Sequence, residues 1–562
     1  MAETLPFLWE LGVEEMPSRY ILPLITAMEE LVVEELRRQR IDVLSWQTGA
    51  TPRRLAIWGQ ASAQQAAGVE KIRGPLVSIA YKDGQPSAAL EGFCRRVSIS
   101  PHAVQEEGEG AKRYVVAVVN QPQDSLEHVL QHILPEVFNR LPRERAMRWN
   151  DSDDRFVRPV RWTMAAVGDH VLPVTIAGNA SRMVTFGNRS DYPDAVAVPS
   201  IAHYVEQLRD NHVLLSWQER RQVIVDTGNA LAKDIGGRVR WDDRLLDEVQ
   251  SLVEWPVPFI GQFDPAFLQV PEPILVTSMK VHQRYFPLED EQGGLLPMFL
   301  AVRNGQGRNL DQVRHGNEKV LTARLSDALY FYRHDQKRPL ESYRANLDTM
   351  IYHAKLGTYG DKVRRMQALW DHLDAKGLTT LSSSCKKRLQ RAILLAKTDL
   401  LTLVVQEFPE LQGIMGGIYA REQGEEQAVG QAIAAQYRPG FYGDSIPPTA
   451  PGQWLGLLDR MDTVMNGMAQ GLRPTGSEDP FGLRRDALAI GRILSEGEIF
   501  SDQAPQVLWA AAEKIWNLPS GTAQEMLQFV SARLGAYWED RYPAMIVQAV
   551  LAANQPWATL ER

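Results

Sequence analysis

Cysteine is nearly absent: Cys94 and Cys385 are the whole complement of a 562-residue chain. Two thiols so far apart in sequence fit neither a disulfide framework nor the paired spacing of a zinc site, so a reducing compartment is expected. Long apolar runs are missing as well. No window approaches the roughly 18 uninterrupted apolar residues that a membrane span needs. The opening MAETLPFLWELGVEEMP places Glu3 ahead of its first apolar run and has no basic stretch, so it does not read as a signal peptide and a cytoplasmic location is expected. Positive charge is not in excess either. With 61 Lys and Arg against 69 Asp and Glu, the formal net charge is −8, which excludes a uniformly basic coat for nucleic acid. It leaves room for a local basic groove, because counterion release depends on the few cations that reach phosphates.

Self-sufficient catalysis leaves no signature. There is no GxxxxGK[ST] loop to cradle a triphosphate, no HExxH pair, no GxSxG elbow and no GxGxxG after a strand. Synthetases that bind ATP through scattered arginines would escape such a pattern search.

What is present is ample core material, 44% hydrophobic residues and 14 Trp, in a chain too long for one hydrophobic core. The fold class expected is multidomain α+β. The first half mixes strand-like runs, Tyr114 to Val119 and Val257 to Phe263, with helical periodicity at Leu24 to Arg40. Turn-rich stretches at Asp151 to Asp154 and Asp191 to Pro199 mark joints between subdomains. From about Leu310 onward the periodicity turns helical, through Asn346 to Trp370, Lys387 to Gln406 and Trp454 to Gly471, and the second half reads as all-α. The helix from Gly316 to Asp335 carries Val320, Leu321, Leu325, Ala328 and Leu329 on one apolar face. Arg438 to Gly452, rich in Pro and Gly, reads as a structured loop.

Basic clusters recur in the first half: TPRRLA at Thr51 to Ala56, MRW at Met147 to Trp149, RFVRPVRW at Arg155 to Trp162 and KVHQRYFP at Lys280 to Pro287. Most set Lys or Arg beside an aromatic ring, the pairing that grips RNA phosphates and stacks on splayed bases. Arg53, Arg54, Arg148, Arg158, Arg161, Lys280 and Arg284 are the candidates. The competing use of the same arginines is internal, tying elements together through carboxylates and carbonyls.

A second pattern runs through the helical half. His353, then Asp399, then Asp459 and Asp462 follow the order of the HD superfamily of metal-dependent phosphohydrolases, which are helical and use the set to activate water. Thr398 stands where the central His of the His-Asp pair belongs, and a hydroxyl is a poor divalent-metal ligand. His353, Thr398, Asp399 and Asp459 therefore read as a degenerate site with no metal, on segments taken as helices or helix ends. The dipeptide His334-Asp335 reads as a helix-surface accident. In PTGSEDPFGLRR, Pro474 to Arg485, Ser477 or Asp479 is expected to cap the next helix.

In order, ELGVEEMP, TPRRLA, RGP at Arg73 to Pro75, MRW, RFVRPVRW, LVEWP at Leu252 to Pro256, KVHQRYFP, GNEKVLTARLSDA, KLGTYGDK, EFPELQGIMGGIYA and PTGSEDPFGLRR resemble the beta subunit of the bacterial heterotetrameric glycyl-tRNA synthetase over essentially the whole chain. The resemblance implies a division of labour. An alpha subunit, in a tetramer of two alpha and two beta, would bind ATP and Mg and make glycyl-adenylate, while this chain, with no cofactor of its own, binds tRNA(Gly) and positions it. It also implies a mixed α/β tRNA-binding body at 1–320, an all-α HD-like domain at 321–494, and at 495–562 a short helical segment, the start of a truncated anticodon-binding domain. Two alternatives stay open. One is an active HD-type phosphohydrolase, which needs a metal and three good ligands; the other is a non-catalytic RNA-binding or assembly protein derived from the beta subunit.

Overall fold

The computed structural model describes residues 3–82, 84–121, 123–151, 153–475, 479, 481–497, 499 and 504–552. The chain forms two compact units, one from 1–262 with 284–318 and the other from 263–283 with 319–562. Among the described residues no helix is long and apolar enough to cross a membrane.

The first unit is built on an antiparallel five-stranded sheet in the order His170–Val171, Val160–Val167, Thr4–Val13, Arg54–Ser62, Val43–Thr51. Its central strand, TLPFLWELGV, reads as a continuous apolar run because both of its faces are covered. Phe7, Trp9, Leu11 and Val13 face one way, into a core shared with helices Ser18–Arg38 and Leu126–Arg140. Leu8 faces the other way, with Ala56, Met164 and Ala166, under Tyr204 and Leu208 of helix Tyr204–Asp210. Strand periodicity of two therefore places the single acid of this strand, Glu10, on the second face. Arg54 and Trp162 share that face through register, since Glu10 pairs with Ala56 while Gly12 pairs with both Arg54 and Trp162.

Two further pieces complete this unit. Residues 68–121 fold around Leu90, Phe93, Cys94, Val115 and Ala117, with strands Gly68–Leu76, Tyr114–Gln121 and Gln105–Glu107 in one sheet. A four-stranded sheet in the order Arg238–Val239, Phe286–Glu289, Leu295–Asn304, Pro256–Gln262 packs on helices Trp217–Asp234 and Asp243–Ser251. Arg220 is fully buried and donates to the carbonyls of Ala50, Leu214, Leu215 and Gln250, so one guanidinium pins three chain segments.

The second unit is helical. Helix Ala450–Ala469 is buried on nearly every side and packs against helices Tyr359–Ala375, Ser383–Leu395, Gln427–Ala435 and Leu483–Glu496. Apolar residues all round are what such a central helix requires. The expected continuous helix from Asn346 is broken: a hairpin pairs Ile351–His353 with Gly357–Thr358, and helix Tyr359–Ala375 starts only after it. Gly357, at φ 85°, makes the turn, and Thr358 and Asp361 close a capping box. His353 thus lies on a strand. Of the apolar face proposed for 316–335, Leu321, Leu325 and Ala328 are buried, whereas Val320 is exposed. Asp335 is no surface accident: it is buried and accepts from the N–H groups of Leu403 and Val404 and from the Tyr419 hydroxyl. Asp479 caps as expected, accepting from the N–H groups of Leu483 and Arg484, while Ser477 and 553–562 lie outside the described residues.

Candidate functional site

Neighbouring arginines on the TPRRLA strand end have opposite fates. Arg54 has no exposed surface. Its Nη2 donates to Glu254 Oε1 at 3.1 Å, its Nη1 donates to Thr185 Oγ1 at 3.0 Å, and Glu10 Oε2 lies 3.9 Å away. Glu10 in turn accepts from Thr185 at 2.7 Å, from the Trp162 indole and from the Tyr204 hydroxyl, and Thr51 donates to Glu254 at 2.7 Å. Burial opposes the charge on Arg54, but Glu254 and Glu10 overcome it and raise its pKa. The same lattice pushes the Tyr204 hydroxyl far above its ordinary range, by burial first and then by the charge of Glu10. Arg54 is therefore withdrawn from the candidate phosphate contacts, because a guanidinium locked between two buried carboxylates presents nothing outward.

Arg53 sits in the turn before the strand and donates to the Gly187 carbonyl at 3.4 Å. It is half-buried, lies with its guanidinium carbon 5.7 Å from the Trp162 ring centroid, and has its pKa lowered by burial with Arg54 and Arg189 adding to the effect. Around it the structure collects Arg158, which donates to the Glu15 carbonyl at 3.1 Å, and two exposed arginines that share one carboxylate. Arg161 lies 3.1 Å and Arg189 3.3 Å from the two oxygens of Glu14. Their side chains are 59% and 61% exposed, so these pairs contribute only about 0–1 kcal/mol each. Exchanging Glu14 for a phosphate costs correspondingly little, whereas the Arg54 lattice resists any exchange. Arg53, Arg158 and Arg161 thus come together, with Arg189 as a fourth member that sequence reading missed. It lies just before the turn-rich stretch at Asp191 to Pro199; the available signal was a lone basic residue beside a turn.

The remaining candidates have other partners or belong to the other unit. Arg148 is exposed and bonded to the carbonyls of Asn150 and Asp151 within its own loop. Arg284, at φ 58°, pairs with Glu248 at 3.1 Å on the first unit, while Lys280 belongs to the helical unit.

In the helical unit the four residues read as a degenerate metal set have separate jobs. His353 Nδ1 accepts from the Lys355 N–H at 3.1 Å, and its ring meets Phe481 edge-on. Thr398 donates to the Leu395 carbonyl at 2.6 Å. Asp399 accepts from the N–H groups of Gly413 and Gly416, which caps helix Ile414–Glu422, and burial raises its pKa. Asp459 alone faces a cavity of about 350 Å³.

Two ammonium groups hold that aspartate. Lys397 Nζ lies 2.6 Å from Asp459 Oδ2 and Lys362 Nζ 3.0 Å from Oδ1. Lys362 also reaches Asp462 Oδ2 at 3.2 Å and Thr463 Oγ1 at 2.8 Å. Burial pushes Asp459 toward protonation, but the two lysines outweigh it and hold the carboxyl well below its usual range. Lys397 adopts a left-handed conformation at φ 67°, a strain of about 1–3 kcal/mol for a non-glycine residue, which its buried ion pair offsets. Lys397 donates to one Asp459 oxygen, and Lys362 Nζ lies near the other, which accepts no hydrogen bond; a single carboxylate flanked by two ammonium groups is not a donor set that fits a divalent metal. Among the described residues no three His, Cys, Asp or Glu side chains form a group able to hold one. Sequence reading missed both lysines. For Lys397 the signal was a lysine within the apolar run AILLAKTDLL, since Lys is rarely buried without a partner; Lys362, in YGDKVRRM, carried none.

The cluster therefore sets Arg161 on a strand of the five-stranded sheet and Arg53, Arg158 and Arg189 in the segments beside it. The family model described as "Glycyl-tRNA synthetase beta subunit" matches residues 7–552, and this chain belongs to that family. It is 37% identical over 558 residues to the glycine–tRNA ligase beta subunit of Moorella thermoacetica, covering 97% of this chain and 80% of the relative. Identity to the same subunit of Acidobacterium capsulatum is 39%, covering 98% and 79%, and to that of Clostridioides difficile 40%, covering 88% and 72%.

Proposed function

We propose that this chain acts as the tRNA-holding subunit of a glycine–tRNA ligase, working in the cytoplasm with an alpha subunit, two copies of each, in which ATP, Mg and glycine are bound by the partner. Family membership across 7–552 is the observation that carries the reading. On it rests the assignment of tRNA contact to Arg53, Arg158, Arg161 and Arg189, four cations gathered at Glu14 and Glu15 on the end of the five-stranded sheet. Arg148, Lys280 and Arg284 join as outlying contacts. Their role is positional: orienting the acceptor end raises the rate of glycine transfer without touching activation of the amino acid.

The reading divides the chain into a tRNA-binding body at 1–320, an HD-like domain at 321–494 and a helical segment from 495. Support for the HD-like assignment is the chain order of His353, Asp399 and Asp459 on a helical scaffold, with Lys362 and Lys397 supplying the positive charge at Asp459.

Filter binding of tRNA(Gly) across a salt series tests the interface. Arg158→Ala and Arg161→Ala should each weaken binding and lower the slope of log affinity against log salt by about 1, the loss of one phosphate contact. An unchanged slope in both variants would remove these arginines from the interface.

A further inference from the structure

We propose that the cavity beside Asp459 is a binding site for a small phosphate monoester of nucleotide size, held without metal and without turnover. Four observations carry it. The first is charge: the wall has four cationic side chains, Lys362, Lys397, Arg460 and Arg485, against two carboxylates, Asp459 and Asp486. The excess matches a monoester, whose charge at neutral pH is about −1.5 to −2. The charge of Asp459 is offset by two ammonium groups, Lys397 bonded to Oδ2 and Lys362 3.0 Å from Oδ1, although Oδ1 itself accepts no hydrogen bond. Burial moves Asp486 the other way, toward its neutral form, with Arg460 opposing.

The second is free donor capacity deep in the wall. Arg460 is 5% exposed, and its Nη atoms are spent on the carbonyls of Gln436, Gly456 and Pro439. Its Nε is buried and has no hydrogen-bond acceptor among the described residues, with Asp486 Oδ1 at 3.8 Å. A buried guanidinium donor left unmade costs free energy that an anion would recover. Lys397, 2% exposed, has three N–H donors; one is directed to Asp459 and the ring of Tyr437 lies 4.0 Å from its Nζ, so donor capacity remains.

The third is size and lining. A volume of about 350 Å³ exceeds what a lone phosphate fills, and the aromatic rings of Tyr359 and Phe481 line it, with Tyr352 and Tyr437 behind the Lys362 and Lys397 ammonium groups that lie over their rings. The fourth is access: the Arg485 side chain is 63% exposed and Phe481 45%, so both stand at an open rim where a ligand enters. Hydrolysis is not part of the proposal, because none of His353, Thr398 and Asp399 lines the cavity and Asp459 is flanked by two ammonium groups.

Isothermal titration of the full chain with AMP, adenosine and inorganic phosphate at low salt tests this. AMP should bind one per chain, adenosine should give no heat, and inorganic phosphate should bind at least tenfold more weakly than AMP. Arg485→Ala, a substitution at the exposed rim that leaves the core intact, should weaken AMP at least tenfold, while Arg161→Ala on the other unit should leave it unchanged. No AMP heat, binding indifferent to Arg485→Ala, equal affinity for phosphate and AMP, or release of phosphate from AMP would each overturn the proposal.

Discussion

Replacing Arg54 and Arg53 separately by alanine isolates the buried lattice from the surface cluster with two substitutions one residue apart. Arg54→Ala leaves Glu254 with the Thr51 hydroxyl as its remaining side-chain donor and strips the cation beside Glu10, while both carboxylates stay nearly inaccessible to water. Removing one partner of such a buried ionic group costs about 3–5 kcal/mol, because the charge left behind has neither solvent nor counterion. At roughly 2–4 °C of melting temperature per kcal/mol for a domain of 150–250 residues, the expected fall is on the order of 6–20 °C. Arg53 is half-buried and its contacts are a hydrogen bond of 3.4 Å to the Gly187 carbonyl and the face of Trp162, so Arg53→Ala should cost about 1 kcal/mol or less. Tryptophan fluorescence during heating is a natural assay, since Trp162 donates to Glu10 within the lattice. Equal melting temperatures for the two variants would refute the claim that Arg54 is structural and Arg53 available.

Three further outcomes are expected. Gly12→Ala would place a methyl group 1.9 Å from atoms of the Trp162 ring, so the indole must leave Glu10; a loss of about 1–3 kcal/mol in urea denaturation checks this, and a neutral effect contradicts it. Asp361 is held down to about 2, first by the Thr358 N–H in the capping box and then by Arg364, so its contribution is complete above the unfolded carboxylate value of about 3.9 and disappears as pH falls toward 2. Asp361→Asn should accordingly flatten the acid limb of the stability profile in that window. Elemental analysis of purified protein should give no stoichiometric divalent metal, since two ammonium groups flank the Asp459 carboxylate; a bound equivalent lost on changing His353 would revive the phosphohydrolase reading.

Much of the architecture was legible because apolar periodicity reports directly on burial. Tyr114 to Val119 lies within an observed strand, Val257 to Phe263 overlaps strand Pro256–Gln262, and Trp454 to Gly471 overlaps the central helix of the helical unit. The hairpin carrying His353 was not legible: three paired residues carry no usable period, and the turn at Gly357 was masked by helical texture on either side. The candidate site was legible in outline only. Sequence clustering identified TPRRLA and RFVRPVRW, but the strand begins only at Arg54, and register then decides that Arg54 shares Glu10's face, while Arg53 stays half-buried in the turn before it. Glu254 and Arg189 come from distant turns, and no local pattern announces that they meet this strand end. Lys362 and Lys397 stayed hidden for a related reason: attention to missing metal ligands directed the search to His, Asp and Thr, whereas the charge is supplied by lysines.

The central claim, that the exposed arginine cluster positions tRNA for a reaction carried out by the partner, is tested most directly by the double variant Arg158→Ala/Arg161→Ala. Reconstituted with the alpha subunit, it should form glycyl-adenylate, followed by pyrophosphate exchange, at the rate of the parent, while tRNA charging falls about tenfold to a hundredfold through lost orientation. Charging at the parental rate, or an equal loss in both steps, would contradict the account.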